Sequence, residues 1–77
     1  MAWSDEPTYG QINTVYRWLS WGMPNQLASA ASKWMGEHAT RQEVSNEMKR
    51  LKILFDKHEL NETTAFESEV WEGFEAK

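Results

Sequence analysis

Three threonines, each followed three residues later by glutamine or glutamate, mark where helices can begin in this chain. They stand in Thr8-Tyr9-Gly10-Gln11, Thr40-Arg41-Gln42-Glu43 and Thr64-Ala65-Phe66-Glu67. In each, the hydroxyl can accept from the amide three residues on, while the Gln or Glu side chain reaches back to the threonine amide. Each motif precedes a run whose apolar residues recur at helical spacing. Ala39 and Val44 flank the second start at the two positions where a hydrophobic staple forms.

The first helix is predicted from about Tyr9 to about Trp21, with Gly22 and Pro24 as cap and breaker. Its inward stripe is Ile12, Val15, Tyr16, Leu19 and Met23. The second, from Pro24 or Asn25 to about Gly36, offers Leu27, Ala30, Ala31 and Trp34. The third runs from Arg41 to about Glu59 with Val44, Met48, Leu51, Leu54 and Phe55 on one side and His58 closing the stripe. A fourth, from about Ala65 to Phe74, contributes Phe66, Val70 and Phe74. No strand-like alternation and no Asn-Gly or Asp-Gly turn competes. The expected fold is all-α: one domain over residues 1–77, a compact bundle of three main helices plus a short acidic C-terminal helix.

A chain of 77 residues buries only roughly 60% of its unfolded surface, which limits stability to about 5 kcal/mol. It has no cysteine, so no disulfide or thiolate metal site reinforces the core. The N-terminal MAWSDEP has neither the basic nor the apolar region of a signal peptide, and no run approaches the length of a membrane span. A cytoplasmic location is expected. The net charge of −4 is unevenly placed. Residues 1–60 balance, whereas residues 61–77 carry Glu62, Glu67, Glu69, Glu72 and Glu75 against Lys77 alone. An acidic chain is a poor general ligand for nucleic acid, whose phosphates select lysine and arginine.

The helix-one segment VYRWLSWGMP holds two of the five tryptophans. At about 100° per residue from Ile12, the core stripe stays within about 60°, while Trp18 and Trp21 fall at roughly 240° and 180°. Two outcomes are open. The fourth helix, or Trp3 with the N-terminal arm, folds over this second face and makes helix one central. Alternatively, Trp18 and Trp21, with Arg17 between core and patch, form an exposed cluster of the residue types enriched at binding hot spots.

Catalytic chemistry finds little support. His38 and His58 adjoin Glu37 and Glu59 but lack the spacing that puts two imidazoles on one helical face around zinc. There is no cysteine and no nucleophile elbow, and the four glycines are isolated, so none builds a phosphate loop. Glu67, Glu69, Glu72 and Glu75 read as a solvated face. No enzyme activity, cofactor or metal is expected.

Two other surfaces carry candidate ligands. The segment ASKWMGEHATRQEVSNEMKRL has the outline of a helix-turn-helix, in which Arg41, Gln42 and Asn46 would read bases and Lys49 and Arg50 would touch phosphates. Glu43 and Glu47 interrupt that basic face. The acidic C-terminal segment, punctuated by Phe66, Trp71 and Phe74, could dock on a basic groove of another protein. In its short, acidic, cysteine-free and tryptophan-rich composition, the chain is similar to small proteins of phages and mobile elements. That resemblance implies an inhibitor of a host nucleic-acid enzyme. The expectation is a non-enzymatic module that occludes a basic surface of a partner protein through Arg17, Trp18, Trp21, Glu67 and Trp71. Its rivals are the helix-turn-helix DNA binder, through Arg41, Gln42, Asn46, Lys49 and Arg50, and a homodimer closed over the tryptophans.

Overall fold

The computed structural model describes residues 6–74; Trp3 and Glu75 lie outside them. Three α-helices follow one another, α1 (Tyr9–Ser20), α2 (Asn25–His38) and α3 (Arg41–Asp56), and two single-turn 3-10 helices end the chain, Thr64–Phe66 and Glu69–Trp71. The described residues contain no strand, and none of their helices is long and apolar enough to cross a membrane. The chain is thus an all-α bundle of three main helices.

Two of the three threonine boxes close as the sequence predicts. Thr8 Oγ1 accepts from Gln11 N at 3.0 Å while Thr8 N donates to Gln11 Oε1 at 3.0 Å. Glu43 N and Thr40 make the equivalent pair at 3.2 and 2.8 Å. Both satisfy amides that a helix start leaves unpaired. Ala39 and Val44 are both in the core.

Helix α1 packs against both α2 and α3. The starts of α1 and α3 lie together, with Arg41 Nε donating to Glu6 O at 3.3 Å, and so do their ends, where Trp18 and Trp21 meet Phe55. The largest sealed side chains are Val15 and Leu19 of α1, Met35 of α2, and Val44 and Leu51 of α3. After α1 the backbone passes tightly under Leu60. A Cβ at Gly22 would stand 2.7 Å from both Leu60 Cγ and Leu60 O.

Helix α2 is turned by one residue from its predicted face. Ala28, Ala31, Ser32 and Met35 point inward, and Ala30 is exposed. The unbranched Met35 fills the interior, which displaces the bulkier Trp34 to the bundle's edge. Helix α3 stops at Asp56, short of the predicted Glu59. His58 adopts φ +60°, His58 N donates to Phe55 O at 3.0 Å and Glu59 N to Leu54 O at 2.8 Å. This is a Schellman ending, and it leaves His58 exposed instead of closing the apolar stripe.

The fourth predicted helix is replaced by the two 3-10 turns. The third box does not form, because Asn61 takes the capping role: its Oδ1 accepts from Thr63 N and Thr64 N at 2.8 and 2.9 Å. Thr64 Oγ1 turns backward, accepting from Asn61 N at 3.1 Å. The next α-helical bonds would need the carbonyls of Thr64 and Ala65. The Arg50 guanidinium competes for both, with Nη1 donating to Thr64 O at 2.9 Å and Nη2 donating to Ala65 O, while Thr64 O accepts from Glu67 N at 3.4 Å in the tighter 3-10 turn. Ser68 is then extended (ψ 159°).

The anchor of this segment is Glu47, only 4% exposed. Its Oε1 accepts from Ser68 Oγ at 2.9 Å. Its Oε2 accepts from Trp71 Nε1 at 2.9 Å, from Arg50 Nε at 2.9 Å and from Arg50 Nη2. Removing one partner of such a buried pair strands the other, so Glu47→Gln is expected to cost about 3 kcal/mol in urea unfolding. A Gly22→Ala chain must move backbone at Leu60, and the same measurement should show a loss of about 1–3 kcal/mol.

Candidate functional site

The tryptophans divide into two aromatic clusters with opposite fates. In the first, Trp34 stacks on Trp71 at 5.9 Å between centroids, and Phe66 and Phe74 pack on Trp71 at 4.8 and 5.5 Å. Trp71 is 3% exposed and its N–H is spent on Glu47. Trp71, expected on the binding face, is therefore part of the monomer's own interior. His38 closes α2 by stacking on Trp34 at 4.5 Å, with its Nδ1 donating to Trp34 O at 2.9 Å, a favourable site for imidazole at a helix C-terminus.

The second cluster is open. Trp18 and Trp21 meet edge to face at 4.8 Å, and Phe55 of α3 packs on them at 5.3 and 5.0 Å. Trp18 is half-buried, Trp21 is 52% exposed and Phe55 39% exposed. Helix α3, which the sequence did not nominate as a cover, thus shields Trp18 in part. Neither the Trp18 nor the Trp21 indole N–H donates a hydrogen bond within the chain among the described residues. Tyr9 and Ile53 are also exposed, but Ile53 stands on the far side of α3, about 180° from Val44. Isolated exposed apolar residues of that kind are ordinary.

Beside Trp18 the surface sinks into a hollow of about 270 Å³ lined by Trp18, Ser45, Met48, Lys49 and Lys52. Lys52 Nζ pairs with Asp56 at 3.2 Å on the exposed surface, a contact of small energetic weight. Arg17 is exposed on α1 next to Trp18. Phe55 and the lysines were the missed members of this site. Phe55 looked like core because its angular position matches Val44 and Leu51, but it falls in the last turn of α3, where the bundle thins.

The helix-turn-helix candidates are brought together in part. Gln42, Asn46 and Lys49 are exposed along one face of α3, and Gln42 and Asn46 bond to each other at 3.1 Å. Arg41 binds Glu6 O, Lys49 also lines the hollow, and the Arg50 guanidinium is committed to Glu47, Thr64 O and Ala65 O. A second hollow, about 310 Å³, separates Glu43, Asn46 and Arg50 from Ser68, Glu69 and Val70. Ser68, Glu69 and Val70 of the acidic segment therefore meet α3 on the Glu47–Arg50 flank, away from the hollow beside Trp18, and Glu67 is exposed next to them in the chain. Among the described residues no three His, Asp or Glu side chains gather at metal-binding distance.

No protein-family model, no curated protein and no solved structure matches the chain. The patch must speak for itself. Iodide quenching of tryptophan emission separates its two clusters: Trp21→Phe should remove a quenchable component, whereas Trp71→Phe should remove a protected, blue-emitting one. Equal protection of both indoles would mean that the patch is covered in solution.

Proposed function

We propose that this protein is a small binding module that docks on another protein through Trp18, Trp21 and Phe55 and acts by occluding the surface it covers. The observation that carries this reading is the open aromatic triad, in which Trp21 and Phe55 are exposed beside a half-buried Trp18 while a second set of four aromatic residues packs around the buried Trp71. A 77-residue chain needs its large apolar side chains inside, so leaving Trp21 and Phe55 at the surface forgoes stability that a partner can return. Trp and Arg concentrate at the energetic centres of interfaces, and Arg17 stands beside the triad. The unspent indole N–H groups add directional contacts that a partner's carbonyls can accept.

Inhibition by occlusion requires no catalytic group on this chain. The nucleic-acid alternative is weaker, since two of its three cations, Arg41 and Arg50, donate to carbonyls of the chain itself.

Parallel affinity columns carrying the parent chain and Trp21→Ala/Phe55→Ala test the reading on a lysate of the source cells. A retained protein, purified and titrated back, should lose about 2 kcal/mol of affinity, roughly thirtyfold in Kd, on Trp21→Ala. The unfolding midpoint of that variant should stay near the parent's. Identical retention on both columns would remove the triad from the function.

A further inference from the structure

We infer that the occupant of the patch is an amphipathic helix of another protein whose apolar stripe is bordered by acidic side chains. This rests on the docking role of the triad and adds what fills it.

The shape comes first. On the α3 wall the patch is built from Ser45, Met48, Lys52 and Phe55, and on the α1 wall from Trp18 and Trp21. Spacings of three and four residues give each wall the pitch of a helix. The strip from Ser45 to Phe55 is about 15 Å long, close to three helical turns. A seam between two helices that run side by side is the geometry that receives a third helix by its i, i+3, i+4, i+7 residues. The hollow beside Trp18, at 270 Å³, falls just under the roughly 300 Å³ where small-molecule pockets begin. It has room for one large side chain over a floor of indole and methionine, and methionine adapts to the shape it meets.

The charge comes second. Lys49 and Lys52 line the hollow and Arg17 is exposed on α1 one helical turn before Trp21, while Asp56 pairs with Lys52. The charged lining of the hollow is therefore basic on a chain whose net charge is −4, and Glu69 of the acidic C-terminal segment lines the other hollow together with Glu47 and Arg50. The basic partner expected from composition would face like charges here; an acidic border would be complementary. The same rim opposes a second copy. A two-fold contact through this patch would set each cationic border against its duplicate. Single-stranded nucleic acid would also find cations, but it needs flat faces for its bases to stack on. The three rings stand at 75°, 72° and 41° to one another, which offers no set of parallel platforms for successive bases.

The test is display selection on the full chain, using a peptide library with a fixed leucine stripe at i, i+3, i+4 and i+7 and flanking positions randomised between Glu, Gln and Lys. Clones should be enriched in flanking Glu, lose binding on Trp21→Ala, and bind about tenfold or more weakly to Lys49→Glu/Lys52→Glu. Both variants should keep the parent's circular dichroism spectrum. Clones that depend on Trp21 but carry no acidic bias, or a basic one, overturn the occupant while leaving the docking surface standing. An absence of Trp21-dependent clones overturns both. Retardation of oligothymidylate that Trp21→Ala abolishes would assign the patch to nucleic acid. A dimer in light scattering that the same variant dissolves would assign it to a second copy.

Discussion

A carboxylate withdrawn from water has to be given donors, and Glu47 is given four: the Ser68 hydroxyl, the Trp71 indole and two nitrogens of Arg50. No buried side-chain nitrogen or oxygen among the described residues lacks a partner. Intact, such a network adds little over an apolar packing of the same volume; broken, it leaves a costly orphan. Its effect is to admit one arrangement. The residues after α3 can start a helix, but Asn61 takes the cap and the Arg50 fork competes for the carbonyls of Thr64 and Ala65. The segment is instead drawn across α3 so that Ala65 and Trp71 enter the core.

That choice decides which aromatic residues are left over. Trp71 is drawn in by Glu47, and Phe66, Phe74 and Trp34 assemble around it. The segment's apolar content is then used up on the Glu47 flank of α3. The other flank, where Trp18 and Trp21 emerge from α1, receives only Phe55 as a cover. Helix α1 is greasy on two sides, and a chain of this length has one extra segment with which to cover them. The site is thus a consequence of where the buried carboxylate sits, eight residues before Phe55 and on the opposite side of Met48.

Much of this was legible in the residues. Two threonine boxes fixed the starts of α1 and α3, and the periodicity of Val15, Leu19, Val44 and Leu51 named the deepest core positions because those side chains have no other low-energy place. The failures share a cause. Thr64 loses its cap to Asn61, α3 ends at a left-handed His58, and Glu47 goes inward although its type is almost never buried unpaired. Each depends on a contact with a residue distant in sequence or on a competing local bond, and periodicity carries no term for either. Glu47 lies between Val44 and Leu51 on the inward face, so its position was readable; its partners, Ser68 and Trp71, were not. The two tryptophans on α1 were recognised as off the core stripe, but Phe55 was assigned to the interior because a wheel diagram does not know where neighbouring helices end.

Net charge was the least informative quantity, for a physical reason. At physiological ionic strength fields decay over about 8 Å, and a helix with its side chains is about 10 Å across. The cations at Arg17, Lys49 and Lys52 and the glutamates of the C-terminal segment lie on opposite flanks of α3, so each flank is largely screened from the other. A partner within contact range of Trp21 responds to the local basic rim, whereas the overall −4 acts on solubility and on distant encounter. The dipole across α3 also orients the approach. An acidic ligand is repelled by the glutamates of the C-terminal segment and attracted to the side where the indoles are exposed, which couples the direction of encounter to the surface where Trp21 and Phe55 have apolar area to bury.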